Sequence, residues 1–105
     1  MEYIHSYSRA QAIEDGFLID ASELATELGI KYSLALTREL YEALTGDNGK
    51  IWDLLNVFRM AARKARGDTM MGYVIEDKKK IYFKAIVHAG DDMKPVITIM
   101  LPDED

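Results

Sequence analysis

Four cations recur at helical spacing in one glycine-free stretch of the chain: Arg59, Arg63, Lys64 and Arg66. Guanidinium groups at i, i+4 and i+7 line one side of a helix and can follow the phosphates of a nucleic acid or a phosphorylated ligand. Together with Lys78, Lys79 and Lys80 they are the best candidate for an anion-binding surface. The plainer account is that cations complement the dipole at a helix C-terminus and need no ligand. That account is favoured. Trp52, at the other end of the stripe, suits packing at the core edge, because a single indole is no stacking platform.

Other residue types give less. The chain has no cysteine, which excludes disulfides, zinc–thiolate sites and cysteine nucleophiles. His5 and His88 are far apart, and neither has a second histidine at i+4. Asp91 and Asp92 follow His88 closely, but spacing alone does not make their ligand atoms converge, so no metal site is expected. Ser6, Ser8, Ser22 and Ser33 stand at helix starts, where capping accounts for a hydroxyl. The chain contains no Gly-x-Ser-x-Gly elbow, no phosphate-binding glycine loop and no His-Glu-x-x-His pair. Glu14–Asp15 and Asp91–Asp92 are adjacent carboxylates of the kind that face water. The expectation is a protein that is not an enzyme and has no cofactor. Met70, Met71, Met93 and Met100 cluster late in the chain; core filling explains such residues more often than an adaptable binding face does.

The elements that must position these residues follow from periodicity and caps. Ser8 opens a helix over 9–15, which Gly16 ends. Phe17-Leu18-Ile19 is an apolar link too short to assign. Asp20 or Ser22 caps a second helix running through Leu28 to Gly29. Ser33 caps a third over 34–44, with Leu36, Leu40, Ala43 and Leu44 at helical spacing and Gly46 after it. Gly46-Asp47-Asn48-Gly49 reads as a turn containing a new cap. The helix over 50–66 is the clearest element. Ile51, Leu54, Leu55, Phe58, Ala61, Ala62 and Ala65 give it one wide apolar face.

After Gly67 the period changes to two. Strands are expected over 69–76, 80–88 and 96–101, joined by Asp77-Lys78-Lys79 and by a loop before Pro95. Helices first and strands after indicate a single α+β domain, with four helices on a three-stranded antiparallel meander. The long helix should meet the sheet through Ile51, Leu55, Phe58 and Ala62. Lysines and Pro95 should guard the sheet edges, unless another subunit pairs with them.

The 105 residues are 49% hydrophobic, too apolar for a disordered tail, and no apolar run reaches the roughly 20 residues of a membrane helix. The start lacks the basic and apolar regions of a signal peptide, so a cytoplasmic protein is expected. The net charge of −5 is uneven: residues 1–49 hold nine acids against three bases, and residues 50–66 hold one acid against five bases. Such a dipolar chain can pair with itself or present two different faces.

Three motifs carry a resemblance: Ile4-His5-Ser6-Tyr7-Ser8-Arg9-Ala10-Gln11-Ala12 with Asp15-Gly16; Trp52-Asp53-Leu54-Leu55 with Ala61-Ala62-Arg63; and Pro95-Val96-Ile97-Thr98-Ile99-Met100-Leu101-Pro102. In this order, over nearly the whole chain, they resemble a family of small proteins of bacteria, plasmids and phages, a domain of unknown function. Many of its members have a longer segment where this chain has only residues 45–50. The resemblance implies no activity. It implies a mobile-element setting, in which small acidic proteins often act by binding host proteins. It also singles out Tyr7, Arg9 and Asp15, which either serve a site or hold the first helix on the sheet. The function expected is non-enzymatic binding by protein contact or self-association. The alternative is nucleic-acid or phosphorylated-ligand binding on the 50–66 helix.

Overall fold

The computed structural model describes residues 7–104, so His5, Ser6 and the start of the opening motif lie outside the described residues. In chain order the described residues form α1 (Arg9–Glu14), β1 (Leu18–Asp20), α2 (Ser22–Glu27), β2 (Ser33–Thr37), α3 (Arg38–Ala43), α4 (Asn48–Lys64), β3 (Thr69–Glu76), β4 (Lys79–Ala89) and β5 (Pro95–Met100). The helix ends obey local chemistry. The Ser8 hydroxyl accepts from the Gln11 amide at 3.0 Å, and the Asp47 carboxylate accepts from the Lys50 amide at 3.1 Å. Gly16 and Gly29 follow their helices with φ of +83° and +82°, the left-handed turn that releases the chain.

The five strands form one mixed sheet in the order β1-β2-β5-β4-β3. The pairs β3–β4 and β4–β5 are antiparallel, as expected. Asp77 and Lys78, with φ of 52° and 66°, turn the β3–β4 hairpin in two residues. Positive φ at both positions gives the turn a twist that matches its strands. Strand alternation then defines two faces. The inner face carries Leu34, Leu36, Met70, Val74, Phe83, Ala85, Ile97 and Ile99, and these pack with Ala25 of α2, Leu40 of α3 and Ile51, Leu54, Leu55 and Phe58 of α4. The outer face carries Val96, Thr98 and Met100 and is covered in part by α1. Phe83 and Gly72 are partners across the hairpin. A Cβ on Gly72 would lie 2.8 Å from the Phe83 ring, so the missing side chain is what leaves room for that ring.

Four expectations need correction. The sheet is not a three-stranded antiparallel meander: β2 lies parallel to β5, and β1 extends the sheet beyond it. Residues 33–37 are therefore a strand rather than the start of a helix, and Thr37, not Ser33, caps α3 by accepting from the Leu40 amide. The cause is burial from both sides. Leu34, Ala35 and Leu36 are all fully buried, and an apolar run covered on both faces has no period to reveal it. Second, neither Asp20 nor Ser22 is the N-cap of α2. Ala21 holds that position, while Asp20 accepts from the Ser22 amide and the Ser22 hydroxyl bonds the backbone of Leu34. Third, Ala62 is exposed, because the last turns of α4 overhang the sheet. Fourth, Pro95 opens the central strand β5 and guards no edge. No helix among the described residues is long and apolar enough to cross a membrane.

Candidate functional site

The residues of the opening motif meet the sheet on its outer face. Arg9, the first residue of α1, extends its half-buried guanidinium to Thr98 Oγ1 at 2.6 Å and to the Ile97 carbonyl at 2.8 Å. Burial holds Arg9 below its ordinary pKa, against the opposing pull of Asp20 and Asp91. Thr98 also meets His88 Nε2 at 2.7 Å, while His88 Nδ1 lies 3.1 Å from the Ala89 carbonyl. A carbonyl can only accept, so in the neutral imidazole Nδ1 holds the proton and the Thr98 hydroxyl donates to Nε2. Asp15 accepts from the Tyr7 hydroxyl at 2.9 Å and from Gln11 Nε2 at 3.0 Å. Desolvation first, and the Asp15 carboxylate second, raise the Tyr7 phenol above its ordinary range. Each of these groups already has a partner within the chain. Their arrangement ties α1 to the sheet and Tyr7 to α1.

The carboxylate of Asp91 completes the tie. Its two oxygens accept from the amides of Arg9 and Ala10 at 2.8 and 3.0 Å, at the positive end of the helix. The Ala10 amide first, then the Arg9 amide, hold Asp91 below the usual carboxylate range. An acid depressed in the folded state stabilises fully above its unfolded pKa, and that contribution is lost as pH falls through the folded value. Thermal melts of Asp91→Asn should therefore lie below wild type at pH 7, with the gap closing as pH falls below about 4. A gap that is the same at both ends of the range would refute this role for Asp91. Asp92 turns instead to the Lys94 amide, so His88, Asp91 and Asp92 face three different partners. Among the described residues no group of three acidic or imidazole side chains converges as a metal site.

The basic stripe of α4 lies across the sheet from this network. Arg59 is turned inward: its NH1 donates to the Leu28 carbonyl at 3.3 Å and its NH2 to Asn56 Oδ1 at 3.2 Å. Its Nε is buried without a partner. Arg63, Lys64 and Arg66 are exposed. Beside Arg59 a cavity of about 390 Å³ opens between the overhanging end of α4 and the sheet, lined by Ile30, Tyr32, Ala62 and Met70 among others. The cavity beside Arg9, about 490 Å³, has no lining residue in common with it. The two candidate clusters therefore do not form one cleft.

A third surface was not anticipated as a site. The strand β3 stands at the end of the sheet, and among the described residues no strand pairs with its outer side. Its pairing with β4 is unbroken from Thr69 to Glu76, so no bulge twists the edge away. No proline or lysine lies within it. Of the hairpin lysines, Lys78 lies in the turn, and Lys79, Lys80 and Lys84 belong to the inner strand β4. On the outer face Met71 and Ile75 are each 62% exposed, with Tyr73 at 43% and Tyr82 at 51%. The two tyrosine rings lie 5.4 Å apart, and Lys80 Nζ sits 5.0 Å from the Tyr73 ring. On the inner side, a groove of about 600 Å³ runs between this edge and Asp53, Asn56 and Val57 of α4. The sequence carries one signal of this surface. The segment Met70-Met71-Gly72-Tyr73-Val74-Ile75 is apolar in both of its alternating registers, and a single-layer cover can bury only one.

A scan against protein-family models, a search of curated proteins and a search of solved structures each found no match.

Proposed function

We propose that this chain is a non-enzymatic binding protein acting by protein–protein contact, and that the contact is made by the edge of β3 and the bare outer face of the β3–β4 hairpin. The observation that carries this reading is an eight-residue edge strand with no proline, lysine or bulge, its one charge being the terminal Glu76, and with Met71, Tyr73 and Ile75 exposed along it. Such an edge is a template for pairing, and soluble proteins ordinarily blunt it with charge, proline or a bulge. A contiguous apolar face beside it supports the same reading. The setting we infer, a bacterial or mobile-element genome, rests on the sequence motifs alone. The alternative of phosphate binding on α4 has less support, because Arg59 is tied to Leu28 and Asn56 and only Arg63, Lys64 and Arg66 project.

A photocrosslinking residue placed at position 73 tests this, with position 23 on exposed α2 as the control. The purified protein is irradiated at high concentration and in bacterial extract. Adducts with protein should form from position 73, not from position 23, and should be lost when Ile75→Lys is added. Equal adducts from both positions, or none from position 73, would refute the reading.

A further inference from the structure

The groove beside β3 has two chemically different sides. Any strand added to this edge presents alternate side chains to the outer and inner faces, because the period of a strand is two. Outward residues would lie next to Met71, Tyr73 and Ile75, an apolar row. Inward residues would enter the groove lined by Asp53, Asn56, Val57 and Glu76. That side is acidic and short of cations. Lys50 is committed to Asp77 at 2.7 Å, and neither Asp53 nor Glu76 forms an ion pair among the described residues. Glu76 Oε2 is buried without a partner. Burial first, and the facing Asp53 second, push the Glu76 carboxyl above its ordinary range, against a smaller opposing pull from Lys50.

We propose that the groove takes an extended segment of another polypeptide as a sixth strand beside β3, with apolar side chains on the outer face alternating with residues that include a lysine or arginine directed at Asp53 and Glu76. This rests on the reading of β3 as the contact edge and adds the chemistry of its occupant. Main-chain hydrogen bonds to β3 supply affinity, and alternate side chains supply specificity, as in other cases of strand addition.

The probes are eight-residue capped peptides of alternating valine and threonine in which one inward position is arginine, with a glutamate counterpart and a shuffled sequence as comparisons. By fluorescence anisotropy at low salt, the arginine peptide should bind at least tenfold tighter than either comparison. Hydrogen exchange should show protection gained by the amides of 69–76. Asp53→Lys, at an exposed position that leaves the core untouched, should invert the preference toward the glutamate peptide. Equal affinities, protection outside β3, or a preference that Asp53→Lys does not change would overturn the proposal. Wild-type protein that sediments as a dimer with β3 already protected would put a second copy on the edge; this too overturns it. In that last case position 73 still crosslinks to protein and the contact-edge reading stands. If position 73 captures nothing, both fail.

Discussion

Phe83→Ala is expected to destabilise the fold by about 3–5 kcal/mol, a large part of the roughly 5–15 kcal/mol available to a domain of this size. Phe83 is fully buried and lies at the centre of the cluster joining α4 to the sheet. Its ring fills the space that a Cβ on Gly72 would otherwise occupy, so truncation removes packing against both the hairpin and the helix. Partial collapse of the site sets where in that range the value falls. Urea unfolding followed by far-UV circular dichroism measures it. Phe83→Leu, which keeps most of the volume, should lose about 1–2 kcal/mol and remain folded if the alanine variant does not. A loss below about 1 kcal/mol in the alanine variant would mean that this ring is not the keystone of the inner face.

Arg9→Leu should cost about 2–3 kcal/mol through a different mechanism. Two charge-assisted hydrogen bonds, to Thr98 Oγ1 and the Ile97 carbonyl, would be lost from a half-buried site. Thr98 is 7% exposed and keeps only His88 as a partner, while the Ile97 carbonyl loses its side-chain donor. Lysine in place of Arg9 should recover no more than half of the loss, since a single ammonium cannot span both acceptors as the planar fork does. Hydrogen exchange gives the decisive readout: the amides of α1 should lose protection far more than those of α4. Uniform loss across the chain, or a cost below about 0.5 kcal/mol, would show that α1 is held by something else.

How much of this was legible depends on what each residue depends upon. The helix α4 reads from the sequence because its apolar face repeats every three to four residues over four turns, and its caps are local. Strands β3, β4 and β5 read almost as well, since Gly67, the charged turn and Pro95 bracket segments of period two. The segment Leu34-Ala35-Leu36 did not. Its burial draws on α2 and α3, its neighbours in sequence, but also on β5, which is distant in sequence. The parallel pairing of β2 with β5 is invisible for the same reason, as it joins segments separated by most of the chain. The candidate site behaved likewise. Arg63, Lys64 and Arg66 project as helical spacing implies, but Arg59 is withdrawn by the Leu28 carbonyl, which only the packing of α2 against α4 brings within reach.

The opening cluster of the chemistry-bearing residues therefore divides cleanly. Residue types and local spacing determined that Ser8, Asp47 and the glycines delimit helices, that cations gather at the end of α4, and that the last third of the chain is strand. These depend on interactions spanning a few residues, which sequence records directly. Tertiary structure alone decided that Arg9 and Asp91 tie α1 to the outer face, that Arg59 turns inward, and that β3 is left as an unguarded edge beside acidic residues of α4. Each of those depends on which distant segment covers which face. A strand apolar in both registers shows only that something could cover it; the order of the five strands decides that one face of β3 is buried and the other is bare.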